Sequence, residues 1–341
     1  MKTYARLLGG VVLALLLGCG KSSSSKPFVI QLNWLHDPTF TGEYLLAEAD
    51  SSFQIVQGGP SISPVNEVVS GRADAAVVGA DIFLQALDTQ APADSANQLV
   101  AIFVDFQRNP VGWVLHPDAA ARASFPSDLT GDRARNAWLF QQFARKAIEP
   151  GDKRGTETTA IWLQWRRIHN LPQSITVTPV GFDASIVLSA PMLAYPVYLN
   201  EEPYKLAERI GRPPLVFDPA TDGISLYGNV LVTTRATIAR SPDRIRALQQ
   251  GLRDGWERAG RERTFARQVV SNRYHGVADS TLARQIDKTL EFAMFGGAQI
   301  GGMDTTSTGR WSTTLRSLQE AGTVSSRLTT ERVLRHLHPP R

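Results

Sequence analysis

The chain has very little cysteine and no long hydrophobic segment. Cys19 is the only cysteine in 341 residues, which excludes an intramolecular disulfide and a cysteine-ligated metal cluster. The longest apolar run, Leu7 to Leu17, is well short of the ~20 residues that a membrane-spanning helix needs. His36 lies beside polar and aromatic groups but has no second histidine at the spacing of a metal site. We therefore expect no metal and no cofactor.

Motifs that bind phosphates or carry nucleophilic catalysis are missing as well. The sequence has no phosphate-cradling glycine loop and no Gly-x-Ser-x-Gly turn. The formal net charge is only +4, and the basic residues are spread along the chain. These absences argue against a hydrolase, a nucleotide-binding enzyme and a nucleic-acid partner.

An export signal and a lipidation motif are present at the N-terminus. Lys2 and Arg6 precede the apolar run, and the run ends in Leu-Leu-Gly-Cys at Cys19, which has the Leu-x-Gly-Cys pattern of a bacterial lipobox. The sequence predicts that signal residues 1–18 are removed, that Cys19 carries lipid acyl chains such as palmitate, and that residues 19–26 form a flexible Gly/Ser-type tether. An uncleaved transmembrane helix is the alternative. We expect a lipoprotein anchored in the cell envelope, facing the periplasm or the exterior.

The rest of the chain alternates between strand and helix patterns. Removal of 18 residues leaves 323, above the size at which one core usually splits into two. The alternation predicts an α/β fold with largely parallel sheets, and it pauses near residues 108–113 before it begins again. We expect two α/β lobes: lobe 1 over 27–110 and again, with C-terminal helices, over 227–341, and lobe 2 over 111–226.

The pattern also predicts individual elements. Strands are expected over 28–32, 53–56, 73–78, 100–106, 111–115, 175–180, 192–199 and 229–234. Helices are expected over 43–50, 65–70, 80–87, 138–148, 156–168, 242–260, 264–274, 280–292 and 308–321. Over 132–154, the strand expected after Gly131 is not visible. Ligands of open α/β sheets bind at the carboxyl ends of strands, so a cleft between the lobes is the expected site.

A series of short motifs resembles one known family. In chain order they are Gln31 to Trp34, Thr41 to Tyr44, Gly58 to Pro60, Ser70 to Asp74, Gly79 to Asp81, Phe106 to Pro110, Asp128 to Gly131, Asn200 to Tyr204, Asp222 to Ile224, Tyr227 to Asn229, Gly255 to Trp256 and Arg310 to Trp311. Together they resemble the substrate-binding proteins of thiamine-pyrimidine and riboflavin uptake, which are related to those for sulfonates, taurine and nitrate. The resemblance implies a type II periplasmic-binding-protein fold, a monomer that delivers a small solute to the transmembrane subunits of an ABC permease.

The sequence departs from this family in two places. One is the segment 132–154, and the other is Glu43, which stands where the family usually carries an apolar residue. Two alternative functions therefore stay open: an anion-binding importer component of the sulfonate, taurine or nitrate type, and a sensing lipoprotein with the same fold. Fungal pyrimidine synthases are similar in fold, but they carry a cysteine cluster that this chain lacks, so an enzyme is not expected.

Aromatic and amide groups after the first predicted strand suit a heteroaromatic solute. Trp34 offers a flat apolar face for stacking, and Asn33 supplies donors and an acceptor for a ring edge. Either residue could instead belong to the core. The tyrosines Tyr195, Tyr198 and Tyr204 are candidates for a second aromatic wall.

Acidic residues beside predicted strand ends favour a neutral or cationic solute. One carboxyl can pair twice with an aminopyrimidine edge, and Glu43, Asp81 and Asp222 are the candidates; each could instead be a helix cap or a solvated acid. An anion would need arginine or lysine side chains and free helix N-terminal amides, for which the segment near Thr156 is the candidate. The complete set of expected ligand-binding residues is Asn33, Trp34, His36, Asp37, Thr41, Glu43, Tyr44, Gly59, Asp81, Gln107, Tyr198, Asn200, Asp222 and Tyr227.

Overall fold

A computed structural model describes residues 26–90 and 96–340. The signal sequence, Cys19 and all of the tether except Lys26 lie outside the described residues. Within the described ranges, no helix is long and apolar enough to cross a membrane.

Ten strands and fourteen α-helices lie within the described residues, and the strands form two five-stranded sheets. The first sheet has the order β2-β1-β3-β10-β4 and consists of β1 (Phe28–Gln31), β2 (Phe53–Val56), β3 (Ala75–Gly79), β4 (Leu99–Val104) and β10 (Asn229–Thr234). The second has the order β7-β6-β8-β5-β9 and consists of β5 (Val111–Leu115), β6 (Glu149–Asp152), β7 (Thr178–Pro179), β8 (Leu193–Tyr198) and β9 (Leu215–Phe217). We call the first sheet with its helices lobe 1 and the second with its helices lobe 2.

Both sheets are mixed. In each sheet four strands point the same way and one runs against them, so the prediction of largely parallel sheets holds except for β5 and β10. In lobe 1, β1 runs parallel to β2 and β3, but β10 runs antiparallel to β3 and β4. In lobe 2, β5 runs antiparallel to β8 and β9. The cause is the path of the chain. β5 and β10 each enter their sheet directly from the other lobe, without a crossover helix to bring the chain back to the end where the other strands begin.

Fourteen α-helices accompany the strands. They are α1 (Thr41–Ala49), α2 (Pro64–Val69), α3 (Ala80–Thr89), α4 (Asp118–Arg122), α5 (Asp132–Ala144), α6 (Glu157–Ile168), α7 (Ile186–Ser189), α8 (Glu202–Ile210), α9 (Arg235–Arg240), α10 (Pro242–Arg261), α11 (Arg263–Ser271), α12 (Asp279–Ala293), α13 (Arg310–Glu320) and α14 (Thr330–Leu334). Residues of α1, α10, α11 and α12 share one apolar core with the first sheet. Residues of α3, α13 and α14 share the core of its other face. The lobe 2 core is aromatic and includes Trp113, whose ring centroid lies 5.2 Å from that of Trp165.

Residues 132–154, in which the sequence shows no strand after Gly131, contain a helix and an unusual strand. α5 begins directly after Gly131, and β6 has the sequence Glu-Pro-Gly-Asp, which no strand pattern would identify. Its neighbours hold it: β6 pairs in parallel with β7 and β8, and the carbonyl of Gly151 accepts a 2.9 Å hydrogen bond from the indole of Trp113. A Cβ at Gly151 would lie 2.8 Å from the carbonyl oxygen of Ala194, so this strand requires glycine there.

A close backbone approach in lobe 1 joins α1 to α10. A Cβ at Gly255 would lie 2.6 Å from the carbonyl oxygen of Gly42, so the two helices touch backbone to backbone. Since α1 follows the loop of Trp34, this contact also fixes where that loop ends.

Gly255→Ala is therefore expected to lower the free energy of unfolding by about 1–3 kcal/mol, because the added methyl group overpacks the contact. Gly260→Ala in the same helix is the control, since its Cβ would lie 3.6 Å from the Met294 methyl carbon, an ordinary contact. Chemical denaturation compares the two variants with the parent chain. Equal stability of both variants would contradict the assigned contact.

Candidate functional site

A cavity of about 450 Å³ lies between the two lobes. Lobe 1 contributes the loop between β1 and α1, and the segments 153–158, 182–185 and 197–209 complete the wall. The lining residues are Asn33, Trp34, Leu35, Asp37, Thr39, Phe40, Lys153, Thr156, Glu157, Thr158, Phe182, Asp183, Ala184, Ser185, Val197, Tyr198, Glu201, Glu202, Lys205, Leu206 and Arg209. This volume suits a small organic molecule.

An aromatic pair from opposite lobes closes one side of the cavity. Trp34 follows β1 and Phe182 follows β7; their ring centroids are 5.3 Å apart, with a tilt of 46° between the ring planes. Phe182 is 54% exposed, so the pair also faces solvent. A hydrogen bond of 2.9 Å from the Gly58 N–H to the Trp34 carbonyl holds the loop that carries the indole.

The cavity carries more acidic than basic side chains. Its carboxylates are Asp37, Glu157, Asp183, Glu201 and Glu202, and its cations are Lys153, Lys205 and Arg209. Lys153 lies 3.4 Å from a Glu202 oxygen, and Lys205 forms an ion pair with Glu201. Asp37, Glu157 and Asp183 have no basic partner among the described ion pairs. The cavity is therefore electronegative, with three carboxylates left for other partners.

Asp37 is a buried carboxyl at the start of a short 3-10 turn, Pro38–Phe40. One of its oxygens accepts a 2.7 Å hydrogen bond from the Thr39 N–H. Burial raises the pKa of Asp37 to about 6. Burial and then the charge of Glu202 raise the pKa of Glu201 to about 7. Both groups therefore change charge near neutral pH.

Lys153 is held in place by the aromatic side chains around it. Its ammonium nitrogen lies 5.0 Å from the ring centroid of Tyr195 and 5.7 Å from that of Phe182. Asp152, the residue before it, accepts hydrogen bonds from the hydroxyls of Thr158 and Thr159, which fixes the start of α6 beside β6.

Two helices from opposite lobes carry an acid in their first turn. Asp81 lies in the first turn of α3, and Glu157 is the first residue of α6. The Tyr198 hydroxyl donates a 2.7 Å hydrogen bond to Glu157 Oε1. Asp81 is 3% exposed, and neither of its carboxyl oxygens receives a hydrogen bond. Burial and then the charge of Glu157 raise the pKa of Asp81 well above its ordinary value.

Four of the fourteen predicted site residues line this cavity: Asn33, Trp34, Asp37 and Tyr198. Asn200 lies close behind it and donates 3.0 Å hydrogen bonds to the hydroxyls of Thr39 and Thr289. Asp81 is buried and does not line the cavity.

The other predicted residues lie elsewhere. His36 and Tyr44 share a 2.9 Å hydrogen bond between the ring nitrogen Nδ1 and the phenol oxygen. Glu43 is buried beside Asp105; burial and then the charge of Asp105 raise the pKa of Glu43 well above its ordinary value. Thr41 lies buried in the first turn of α1, where its hydroxyl donates to the Pro38 carbonyl. None of these predicted residues lines the cavity: His36, Thr41, Glu43, Tyr44 and Gly59. Gln107 and Tyr227 line a separate cavity of about 360 Å³ in lobe 1.

Asp222 lies in the lobe 2 core, away from the cavity. Its side chain is 3% exposed, and its Oδ2 accepts hydrogen bonds from the indole of Trp165 (2.7 Å) and the amide of Asn136 (2.9 Å). The same oxygen lies 2.8 Å from His169 Nε2. This carboxylate joins three segments of lobe 2.

Sequence reasoning missed Phe182, Lys153 and Lys205. Phe182 follows a strand of only two residues, and Lys153 follows the unrecognised β6. Lys205 lies four residues after Glu201 at the start of the unassigned helix α8, so their i,i+4 spacing was an available signal. Within the described residues, no group of three or more His, Cys, Asp and Glu side chains could hold a metal ion.

Asp222→Asn is expected to destabilise the chain by about 1–3 kcal/mol, because a neutral amide oxygen is a weaker acceptor than the carboxylate oxygen on which these contacts converge. Chemical denaturation measures the loss. Affinity for a cavity ligand should stay within twofold of the parent chain. A stable variant with lost affinity would instead place Asp222 in the binding site.

Comparisons with known proteins agree with this fold. Residues 168–262 match the family model described as NMT1/THI5 like. A comparison with curated protein sequences finds no match.

Solved structures extend the likeness to nearly the whole chain. The alkanesulfonate-binding protein SsuA from Xanthomonas axonopodis pv. citri is 12% identical, with 92% of this chain and 99% of that one covered and a TM-score of 0.63. The periplasmic nitrate-binding protein NrtA from Synechocystis PCC 6803 is 13% identical, with 92% and 86% covered and a TM-score of 0.62. The desulfurization enzyme DSZB is 11% identical, with 91% and 96% covered and a TM-score of 0.56.

At these identities the likeness shows the fold and leaves the ligand open. It includes an enzyme as well as binding proteins, so the fold alone does not decide between these roles. The predicted resemblance and the predicted fold class are confirmed: the chain carries an NMT1/THI5-like segment within the fold of the periplasmic substrate-binding proteins.

Proposed function

We infer that this chain is a lipid-anchored, extracytoplasmic solute-binding protein of an ABC importer. It binds a small neutral or cationic heteroaromatic solute, such as a thiamine pyrimidine precursor, between its lobes and delivers it to a permease. The observation that carries this inference is the electronegative, aromatic-walled cavity of about 450 Å³ between two α/β lobes.

The aromatic pair supports a planar ligand. Trp34 and Phe182 come from different lobes, so a ring that stacks on either of them also contacts the other lobe. Such a contact is made only when the lobes are closed, and this couples binding to closure.

The charges of the cavity support a donor-rich ligand over an anion. Asp37 has an acceptor oxygen and no cation partner, so an amino group or a ring N–H can supply the missing charge or hydrogen bond. An anion would meet five carboxylates. Glu157 also occupies the start of α6, where helix amides would otherwise bind an anion.

A binding role fits this lining better than a catalytic one. The side chains that line the cavity include neither cysteine nor histidine, the usual nucleophile and general base. The carboxylates that remain suit recognition of a base or an amine.

A ligand panel tests the inference. The chain from Lys26 onward is screened by thermal shift with pyrimidine precursors, thiamine, riboflavin, taurine, alkylsulfonates and nitrate. A ligand at a hundredfold excess over its Kd stabilises by ~2.7 kcal/mol, which raises the melting temperature by several degrees. A hit with a pyrimidine or a flavin supports the inference. A hit with taurine or nitrate alone would assign the anion-binding alternative.

Trp34→Ala and Phe182→Ala are each expected to weaken binding of the hit by about 1–3 kcal/mol, or roughly 5- to 150-fold in Kd, because each removes a stacking face. Phe295→Ala is the matched control, an exposed aromatic residue outside the cavity. Calorimetric titration measures the affinities. If the Trp34→Ala and Phe182→Ala proteins melt at a lower temperature but bind the ligand normally, these two residues stabilise the fold and do not bind the ligand.

Cys19→Ser is expected to move the protein from the membrane fraction to the soluble fraction, because serine cannot form the thioether that carries the lipid. Ser22→Ala in the tether is the control and should stay with the membrane. Fractionation of the expressing cells followed by immunoblotting measures the distribution. Membrane retention of the Cys19→Ser protein would contradict the anchor.

A further inference from the structure

We propose that the cavity of about 360 Å³ in lobe 1 is a second binding site and that it takes a small organic carboxylate. We call it the second cavity. It shares no lining residue with the cleft between the lobes. The proposal goes beyond the importer assignment, because it concerns a ligand other than the solute of the cleft.

The second cavity lies against both connections between the lobes. The chain passes to lobe 2 between β4 and β5 and returns between β9 and β10; Gln107 lies on the first connection and Tyr227 on the second. The Gln107 amide donates a 2.9 Å hydrogen bond to the Gly302 carbonyl. The Tyr227 hydroxyl accepts one of 2.9 Å from the Asp304 N–H. Both side chains are buried, so this part of the wall is held in place before any ligand binds.

The charge of the second cavity is opposite to that of the cleft. Its charged side chains are Arg253 of α10, Arg310 at the start of α13, and Asp304. Neither arginine takes part in an ion pair within the described residues. Two guanidinium groups and one carboxylate leave the wall positive, whereas acids outnumber bases in the cleft. The second cavity therefore favours an anion.

The one acid of this wall is already satisfied by neighbouring donors. Asp304 accepts hydrogen bonds from the Thr306 N–H (3.0 Å), the Thr306 hydroxyl (2.6 Å) and the backbone N–H of Arg310 (3.3 Å). It thus caps the start of α13 as well as its own turn. Its charge offsets one of the two guanidinium groups, and the other has no counter-charge.

Both arginines are held by neutral groups and keep donors that the protein does not use. Arg310 Nη1 donates to the Gln107 carbonyl, and the guanidinium carbon lies 5.1 Å from the ring centroid of Tyr227. The only described hydrogen bond of Arg253 runs from Nη1 to Gln250 Oε1 at 3.2 Å, and its Nε is buried without an acceptor. Guanidinium groups form their strongest hydrogen bonds with carboxylate and phosphate oxygens. An oxyanion therefore supplies the acceptors and the charge that these two side chains lack.

The rest of the wall indicates an anion with a hydrocarbon body. It includes the apolar side chains of Ala298, Met303, Pro339 and Pro340. An inorganic oxyanion would leave this side of the cavity without a contact. A carboxylate on a short carbon chain meets both the guanidinium groups and the apolar side.

The first test uses glutarate as the probe. Melting temperatures of the full-length chain in detergent are measured with glutarate, with inorganic phosphate, and with sodium chloride at matched ionic strength. Glutarate at several times its Kd should raise the melting temperature by about 2 °C or more over the chloride series. No such rise would overturn the second site. A rise with phosphate and none with glutarate would overturn the organic class of the ligand.

Arginine variants test which groups bind the probe. Arg253→Gln and Arg310→Gln should each weaken glutarate binding by about tenfold or more, because each removes a charged donor. Arg316→Gln is the matched control, an exposed arginine of α13 outside the second cavity, and should bind like the parent chain. Equal affinity in all three variants would contradict the assigned site.

Two further variants separate the second cavity from surface charge and from the cleft. Ala298→Leu keeps both arginines but fills the space, so the glutarate response should be lost. Lys153→Met removes a cation of the cleft and should leave that response unchanged. A full response in Ala298→Leu, or its loss in Lys153→Met, would overturn the proposal. These measurements contain no cleft solute, so they also separate failure of the second site from failure of the importer assignment.

Discussion

The double passage of the chain between its lobes is the constraint on which the structure depends. The two connections lie side by side: the Asn109 N–H donates to the Leu226 carbonyl at 2.8 Å, and the Gly228 N–H donates to the Phe106 carbonyl at 3.1 Å. Because β10 lies between β3 and β4, the sheet of lobe 1 is complete only after the chain has returned from lobe 2. The same path directs the loop after β1 and the start of α6 toward one gap, where the cavity forms.

This gap collects several carboxyl groups, some of them buried. A buried charge costs several kcal/mol unless it is paired or loses its charge. Two glutamates, Glu201 and Glu202, have lysine partners in the cavity wall. Asp37 is a buried cavity acid that forms no described ion pair, and on our proposed function a donor-bearing solute completes the site.

Much of the fold could be predicted because short apolar strands are visible in the sequence. β2, β5 and β10 have the predicted bounds, and each is bounded by polar or turn residues. β6 was not predictable, because Glu149–Asp152 contains no apolar alternation and is held by its neighbours. The reversed direction of β5 and β10 was also not predictable, because it depends on how the chain passes between the lobes. Local patterns carry no information about that return.

The position of a site residue could be predicted from the sequence only where it depends on a single lobe. Asn33 and Trp34 follow a visible strand, so their place at its carboxyl end could be inferred. Phe182 and Lys153 enter the cavity only through the packing of lobe 2 against lobe 1. Asp81 shows a related limit, since a first-turn acid normally caps a helix or faces solvent, and here it is buried. The charge of this cleft is thus set by residues that meet only when both lobes are in place. On our proposed function, the cleft's charge and not its shape separates this chain from anion-binding proteins that share its fold.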